Sequence, residues 1–272
     1  MKIGYYIKKL ALQDDSRIGE LLGRLRSGGV GLYAIRSAED VQEQTDMVLS
    51  FGGDGTFLSA AHRVAEAGIP ILGVNYGRMG FLSENRAEDV VKAILGKCYH
   101  IEEQDVIKVE SPDIPIPGLW PYAVNEVSIH RTGAEMLGVD VTLDSEALPT
   151  YWADGVLVAT STGSTAYSLS AGGPICLPSA AVRLITPIAP HNLNLRPLVI
   201  PASAGVTLCA RSRTGTAVLT LDNRSYAVPA GAHIRIGNAE FRLRRVMIGK
   251  SNFIDALRSR FFWGQDVRNT SE

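Results

Sequence analysis

The apolar residues change period along the chain, and the change divides it. Over the first hundred positions, short apolar runs alternate with helical stripes. Lys2–Ile7 reads as a buried strand, and Ile18, Leu21, Leu22 and Leu25 follow at the i, i+3, i+4, i+7 spacing of one helix face. Ser27–Gly29 closes that helix, since glycine takes a left-handed cap at little steric cost. Val30–Ile35 and Met47–Phe51 predict two more strands. A helix starting near Thr56 carries Phe57, Ala61, Val64 and Ala65 on one face and stops at Gly68 and Pro70. Ile69–Val74 predicts another strand, and Ala87–Leu95 another helix, stopped by Gly96. Strand and helix in this alternation argue for a parallel sheet covered by helices.

From Val106 to about Val246 the apolar runs are short, rich in Val, Ile, Leu and Thr, and separated by Gly, Pro, Asn or Asp. Val139–Leu143, Val206–Ala210, Val218–Asp222 and Phe241–Val246 are examples. No long helical period survives, which predicts an antiparallel β domain. Pro112–Pro121 holds four prolines and reads as a loop or edge. The tail Ile254–Trp263 regains a helical look through Leu257, Phe261 and Phe262. The expected fold is an α/β N-terminal domain with a parallel sheet, residues 1–98, plus an all-β C-terminal domain, residues 99–246, followed by a tail, residues 247–272.

Composition narrows the function. The 272 residues are 46% hydrophobic, enough for full cores, and the formal net charge is −1, which gives no electrostatic footprint for nucleic acid. The longest local basic cluster, Arg242, Arg244 and Arg245, reads as the exposed face of a strand. Cys98, Cys176 and Cys209 are far apart and form no CxxC pair, so neither a zinc site nor a disulfide framework is expected. The opening MKIGYYIKKL is too short and too charged for a signal peptide, and no apolar run reaches the length of a membrane span. The sequence reads as a cytoplasmic protein with no membrane partner.

Three strings carry chemistry. Gly52-Gly53-Asp54-Gly55-Thr56 follows a strand and precedes a helix. Its glycines allow a sharp turn and close ligand approach, and backbone N–H groups at a helix start suit phosphate. A carboxylate in a phosphate cradle repels the ligand, so Asp54 needs a reason. It could take a proton from an attacking hydroxyl, help hold Mg²⁺ on a triphosphate, or only cap the helix. The chain has no GxxxxGK[ST] string and no strand-linked GxGxxG, so neither a P-loop nor a Rossmann dinucleotide site is expected.

The second string runs from Asp154-Gly155 through Val156–Ala159 to Thr160–Pro174. Its dense hydroxyls suit ribose and phosphate oxygens, and the ring of Tyr167 could stack on a base; a polar surface loop has the same composition. The third is Asn125-Glu126, inside the apolar run Tyr122–Ile129. One of two adjacent polar residues on a strand faces inward, where it needs a partner; a solvated edge strand would remove that need. His191 lies in a proline-bounded turn and reads as structural, and His100, His130 and His233 show no constellation.

Together these strings resemble the NAD kinase family. The likeness runs through Gly52–Thr56 with Phe57-Leu58, Gly73–Gly77 with Gly80-Phe81-Leu82, Asn125-Glu126, Asp154-Gly155, Thr162–Pro174, and Pro190-His191 leading to Arg196-Pro197-Leu198. Each piece is weak alone, and the ordered set is specific. The resemblance implies ATP- and Mg²⁺-dependent phosphorylation of the adenosine ribose 2′-hydroxyl of NAD, giving NADP. It implies Asp54 as general base, with Gly52, Gly53, Gly55 and Thr56 around the ATP phosphates. It implies NAD contacts from Asp54, Gly55, Asn125, Glu126, Asp154, Thr165, Ala166, Tyr167, Ser168, Leu169 and Ser170, and weaker ones from Ala189 and Arg224. NAD would lie between the domains, the chain end would return to the first domain, and the assembly would be a homodimer or homotetramer.

Two departures stand out. Ser161 replaces a usual proline, which should loosen its loop, and little chain lies between Arg36 and Asp46. Two rival readings remain. A diacylglycerol-type lipid kinase shares the glycine string but usually continues with Asn-Glu, where this chain has Phe57-Leu58. A non-catalytic NAD(H) sensor would have no need of Asp54.

Overall fold

In the computed structural model, residues 1–77, 80–249 and 253–261 are described, apart from the side chain of Arg260. The chain forms two compact units, one made of Met1–Glu103 with the chain from Leu243 onward, the other of Gln104–Arg242.

The first unit is a strand–helix alternation: β1 (Lys2–Ile7), α1 (Ser16–Ser27), β2 (Gly31–Ile35), β3 (Met47–Gly52), α2 (Asp54–Val64), β4 (Ile71–Asn75), α3 (Ala87–Leu95) and β5 (Tyr99–Gln104). β3 is buried at every position, as expected of a parallel strand covered on both faces. Met47, Leu49 and Phe51 share one core with Ile18, Leu21, Leu22 and Leu25 of α1 and with Val90, Val91 and Ile94 of α3. Val48 and Ser50 point the other way, where α2 buries Phe57, Ala60, Ala61 and Val64. The Asp15 side chain caps α1 by accepting the Arg17 N–H at 2.9 Å. Gly29 closes the helix at φ +82°, and Val30 N–H returns to Leu25 O at 3.1 Å.

The second unit holds β6 (Ile107–Glu110), β7 (Tyr122–Ala123), β8 (Glu126–Arg131), β9 (Leu137–Leu143), β10 (Glu146–Ala147), β11 (Tyr151–Ala153), β12 (Gly155–Thr160), the single turn α4 (Tyr167–Ser170), β13 (Val182–Ile188), β14 (Leu198–Pro201), β15 (Val206–Arg211), β16 (Thr216–Leu221), β17 (Arg224–Pro229) and β18 (His233–Asn238). Two antiparallel sheets enclose one core. One runs β10-β9-β15-β18-β6-β7 with β11 on β9, the other β14-β13-β12-β8-β16-β17. Val139, Leu208 and Ile234 of the first meet Ile129, Val158, Ile185 and Leu219 of the second.

The unit boundaries differ from those expected at 98/99 and 246/247. The chain re-enters the first unit as β19 (Leu243–Ile248), and the parallel sheet reads β2-β1-β3-β4-β19-β5. Phe241–Val246, expected in the β domain, therefore contributes chiefly to the parallel sheet. Val246 joins the core of α1 and α3, and Arg245 pairs with Ile71 of β4. Arg245 also corrects the reading of its cluster as an exposed face. It is buried, and its guanidinium donates to Glu84 Oε1 at 2.7 Å, a cost of burial that the ion pair offsets. Arg244 is half-buried and donates to Gly68 O at 3.0 Å. The tail helix α5 (Phe253–Phe261) lies in the first unit, with Phe253 and Phe261 both against the Phe81 ring. Phe262 and Trp263 lie outside the described residues.

Candidate functional site

In the parallel sheet, β1 lies between β2 and β3, so the order reverses at the β1/β3 boundary. Ligands of open α/β sheets bind outside the carboxyl ends of strands at such a switch point. Gly52–Thr56 leaves β3 there and starts α2, whose positive end faces the same edge. A side chain on Gly52 would run into Thr56.

Asp54 does not cap α2. Its carboxylate reaches to the segment after β4: Oδ2 accepts the Phe81 N–H at 2.8 Å, and Oδ1 accepts those of Leu82 and Ser83 at 2.9 and 2.8 Å. Two glycines make this possible. A Cβ on Gly80 would overlap the Asp54 carboxylate, and one on Gly73 would sit 2.5 Å from Leu82 O and 2.8 Å from Ser83 Cα. The strings Gly73–Gly77 and Gly80-Phe81-Leu82 thus share a task, which is to hold three N–H groups against Asp54. A carboxylate offers about four lone-pair positions, so one on Oδ2 stays available. Lys8, just past β1, brings a cation to the first turns of α2. Its Nζ donates to Ser59 Oγ at 3.0 Å, and Ser59 Oγ donates to Gly55 O at 2.9 Å.

In the second unit, Asn125 and Glu126 stand where the chain passes from one sheet to the other. Tyr122–Ile129 is not one strand. β7 belongs to the first sheet, β8 to the second, and Val124-Asn125 joins them. The cause is Asp222, a residue the sequence reading did not single out. Its buried carboxylate accepts the N–H groups of Val124, Asn125 and Glu126 at 2.9, 2.8 and 3.3 Å, taking them out of any ladder. Asp222 ends β16 at φ +51°, a left-handed turn position that aspartate tolerates. Thr160 and Gly163 close the same corner. Thr160 Oγ1 donates to Val124 O at 2.7 Å, and a Cβ on Gly163 would strike the Asn125 backbone.

Glu126 begins a polar row on the outer face of β8, with Ser128 and His130 next along it, while Val127 and Ile129 face the inter-sheet core. Burial, and then the neighbouring Asp222 charge, push the Glu126 carboxyl up to about 8. One hydrogen bond, from the Tyr167 backbone N–H, opposes that rise, and Oε2 is buried with no partner. Burial raises Asp222 as well, and its three N–H donors and Arg224 at 3.9 Å offset only part of that rise.

His130 corrects the reading that it has no constellation. Its Nε2 lies 2.8 Å from Ser128 Oγ, and its ring stacks on Tyr167 with centroids 5.8 Å apart and planes at 15°. Burial lowers its basicity, and Asp154 partly restores it. His233 and His100 also have acidic neighbours, His233 on Asp113 and His100 near Glu102.

The hydroxyl-rich string forms a 3₁₀ turn at Thr162–Thr165 and then α4. Much of it is scaffold. Ser164 bonds Cys176, and Ser168 is buried with Oγ 3.0 Å from Thr186 Oγ1. Thr162 Oγ1 is buried without a partner. Thr165 and Leu169 are half-buried, as is Ala166, and Tyr167 and Ser170 are exposed. At Ser161, where a looser loop was expected, φ is −57°, a value proline would take, and the hydroxyl donates to Pro178 O at 3.0 Å.

Asp154, between β11 and β12, forms a fork with Arg131, at 2.7 Å to Nε and 3.2 Å to Nη2. Gly155 beside it leaves room for Ile129 O and for His130 Nδ1, which a Cβ would approach to 3.1 Å. Ala189 sits at φ +46° before Pro190. Arg224 is engaged within the protein, donating to Trp120 O at 2.9 Å and to Tyr122 O, with its guanidinium over the Trp120 ring. Among the described residues, no three His, Cys, Asp or Glu side chains are grouped to hold a metal, and no helix is long and apolar enough to cross a membrane.

Residues 23–103 match the model of the ATP-NAD kinase N-terminal domain, and residues 124–247 that of the ATP-NAD kinase C-terminal domain. An NAD kinase of Bacteroides fragilis is 40% identical over 82% of this chain and 78% of its own length. One of Porphyromonas gingivalis is 38% identical over 98% of this chain and 99% of its own. Among solved structures, yeast NADH kinase complexed with NADH shares the fold, with a TM-score of 0.88 and 24% identity over 99% of this chain and 90% of that one. An NAD kinase from Archaeoglobus fulgidus in complex with ATP superposes with a TM-score of 0.75 and 27% identity over 96% of this chain and 98% of that one. With both domain models matched in order and relatives at this identity over most of the chain, the protein belongs to the NAD kinase family of phosphotransferases.

Proposed function

We propose that the chain transfers the γ-phosphoryl group of ATP to the 2′-hydroxyl of the adenosine ribose of NAD, with Asp54 as general base. The observation that carries this is the setting of Asp54. Three backbone N–H groups fix the carboxylate at the carboxyl edge of the parallel sheet, and one lone-pair position on Oδ2 remains for a hydroxyl proton. A general base contributes about 10²–10⁴-fold. Fixing two substrates in line contributes roughly 7–11 kcal/mol, so positioning is the larger part of the catalysis.

Gly52, Gly53, Gly55 and Thr56 take the ATP phosphates at the start of α2. Magnesium would come with the nucleotide, held by the phosphate oxygens, and would supply charge neutralisation there. NAD is taken by Asn125, Glu126, Asp154 and the segment Thr165–Ser170. Glu126 Oε2 and Thr162 Oγ1, buried without partners, support a polar ligand there, because such atoms cost about 1–3 kcal/mol each when left unbonded. Contacts from Ala189 and Arg224 are weaker, and Arg224 acts chiefly by holding β7. The family resemblance supports a cytoplasmic homodimer or homotetramer.

The test is incubation of the purified protein with ATP, Mg²⁺ and NAD, with NADP detected by a dehydrogenase that requires it. Steady NADP formation is expected. Its absence, with NADH also refused as acceptor, would overturn the assignment.

A further inference from the structure

The polar row on β8 does more than line the nucleotide string. Tyr167 is 38% exposed, yet its ring stacks on His130 with centroids 5.8 Å apart and planes at 15°. His130 is itself held on two sides. Ser128 Oγ fixes Nε2 at 2.8 Å, and Ser128 meets Thr220 of β16 across the sheet. On the opposite edge of the ring, Gly155 leaves the space beside Nδ1 that any other residue would fill. The stack therefore rests on a strand locked in the middle of a sheet, with β12 on one side of β8 and β16 on the other.

Nearly parallel stacking on His130 fixes the orientation of the Tyr167 ring at the start of the one-turn helix α4.

We infer that His130 is a positioning residue that backs the Tyr167 ring, so that the ring's other face receives a flat heteroaromatic ring of the dinucleotide. This rests on the reading of Tyr167 as an NAD contact. His130 touches no substrate; it acts through Tyr167, and its ring matters more than its hydrogen bond.

The test is NAD affinity by calorimetry, with KM and kcat alongside, in His130→Phe, His130→Gln, His130→Ala, Tyr167→Ala and the double variant His130→Ala/Tyr167→Ala. His130→Phe keeps a ring behind Tyr167 and should bind NAD within about twofold of the parent. His130→Gln keeps a donor and acceptor for Ser128 but no ring. It should weaken NAD about five- to tenfold, the size of one aromatic pair, with the KM for ATP unmoved. In the Tyr167→Ala background the His130→Ala change should have no further effect, because coupled residues are not additive. If Gln binds as the parent does and Phe does not, or if His130→Ala costs the same with and without Tyr167, His130 does not act through that ring. A Tyr167→Ala variant with unchanged NAD affinity would instead remove the Tyr167 contact itself, and the inference with it. Calorimetry reads all of these whether or not NADP forms, so failure of the proposed reaction is seen separately.

Discussion

Gly80 lies against the carboxylate of Asp54 so closely that a single methyl group at position 80 would occupy the space of its oxygens. Asp54 and the loop that holds it are therefore one object, built from residues 26 positions apart. Gly80→Ala must push either the carboxylate or the 81–83 N–H groups aside. Because misplacement by about 1 Å can cost on the order of 10²-fold in rate, kcat should fall by that order. NAD affinity should stay within about twofold, since the NAD contacts proposed in the second unit are untouched. Steady-state kinetics with calorimetry on the same preparation checks this.

Asp222 should matter for stability more than its place in a turn suggests. Asp222→Ala leaves three N–H groups without their acceptor at a buried corner. At about 1–3 kcal/mol for each unsatisfied donor, less whatever water recovers, a loss of about 3 kcal/mol or more is expected. Urea denaturation would show it as a lower midpoint at unchanged slope.

The Glu126 carboxyl makes a pH prediction with a definite sign. Its value rises from the ordinary 4.5 to about 8 on folding. Between those values the folded chain binds more protons than the unfolded one, so stability falls as pH rises. The contribution is complete below about pH 4.5 and gone above about pH 8. Glu126→Gln removes the ionisation, so its stability should be flatter across this window. Denaturation of both proteins at several pH values between 5 and 8 gives the comparison.

The ion pair of Arg245 and Glu84 is buried in the first unit. Glu84→Ala leaves the guanidinium uncompensated and should destabilise by about 3–5 kcal/mol. Replacing both residues with apolar ones of similar volume should cost far less. Thermal melts of the two variants separate these outcomes.

Much of this was legible in the sequence, because local patterns carried it. The stripe Ile18, Leu21, Leu22, Leu25 and the wholly apolar Met47–Phe51 follow from elements buried on known faces. The glycine string could be read as a turn into a helix. What it could not say is that Asp54 turns away from α2 to residues 81–83. β19 was misplaced because an apolar strand has the same period in either sheet, and its neighbour β4 lies more than 160 residues earlier. The break between β7 and β8 escaped for a similar reason, since its cause, Asp222, sits 96 residues beyond Glu126. The His130 constellation did leave a signal. Glu126, Ser128 and His130 fall at every second position of an otherwise apolar run, and a polar row of period two on a central strand has to face something polar.

The most direct measurement is the rate of NADP formation by Asp54→Asn beside its affinity for NAD. Asparagine keeps the shape and most of the contacts to residues 81–83 but cannot take a proton. The account predicts a fall in kcat of about 10²-fold or more, with NAD bound within about twofold of the parent. A variant that turns over within a few-fold of the parent would contradict it.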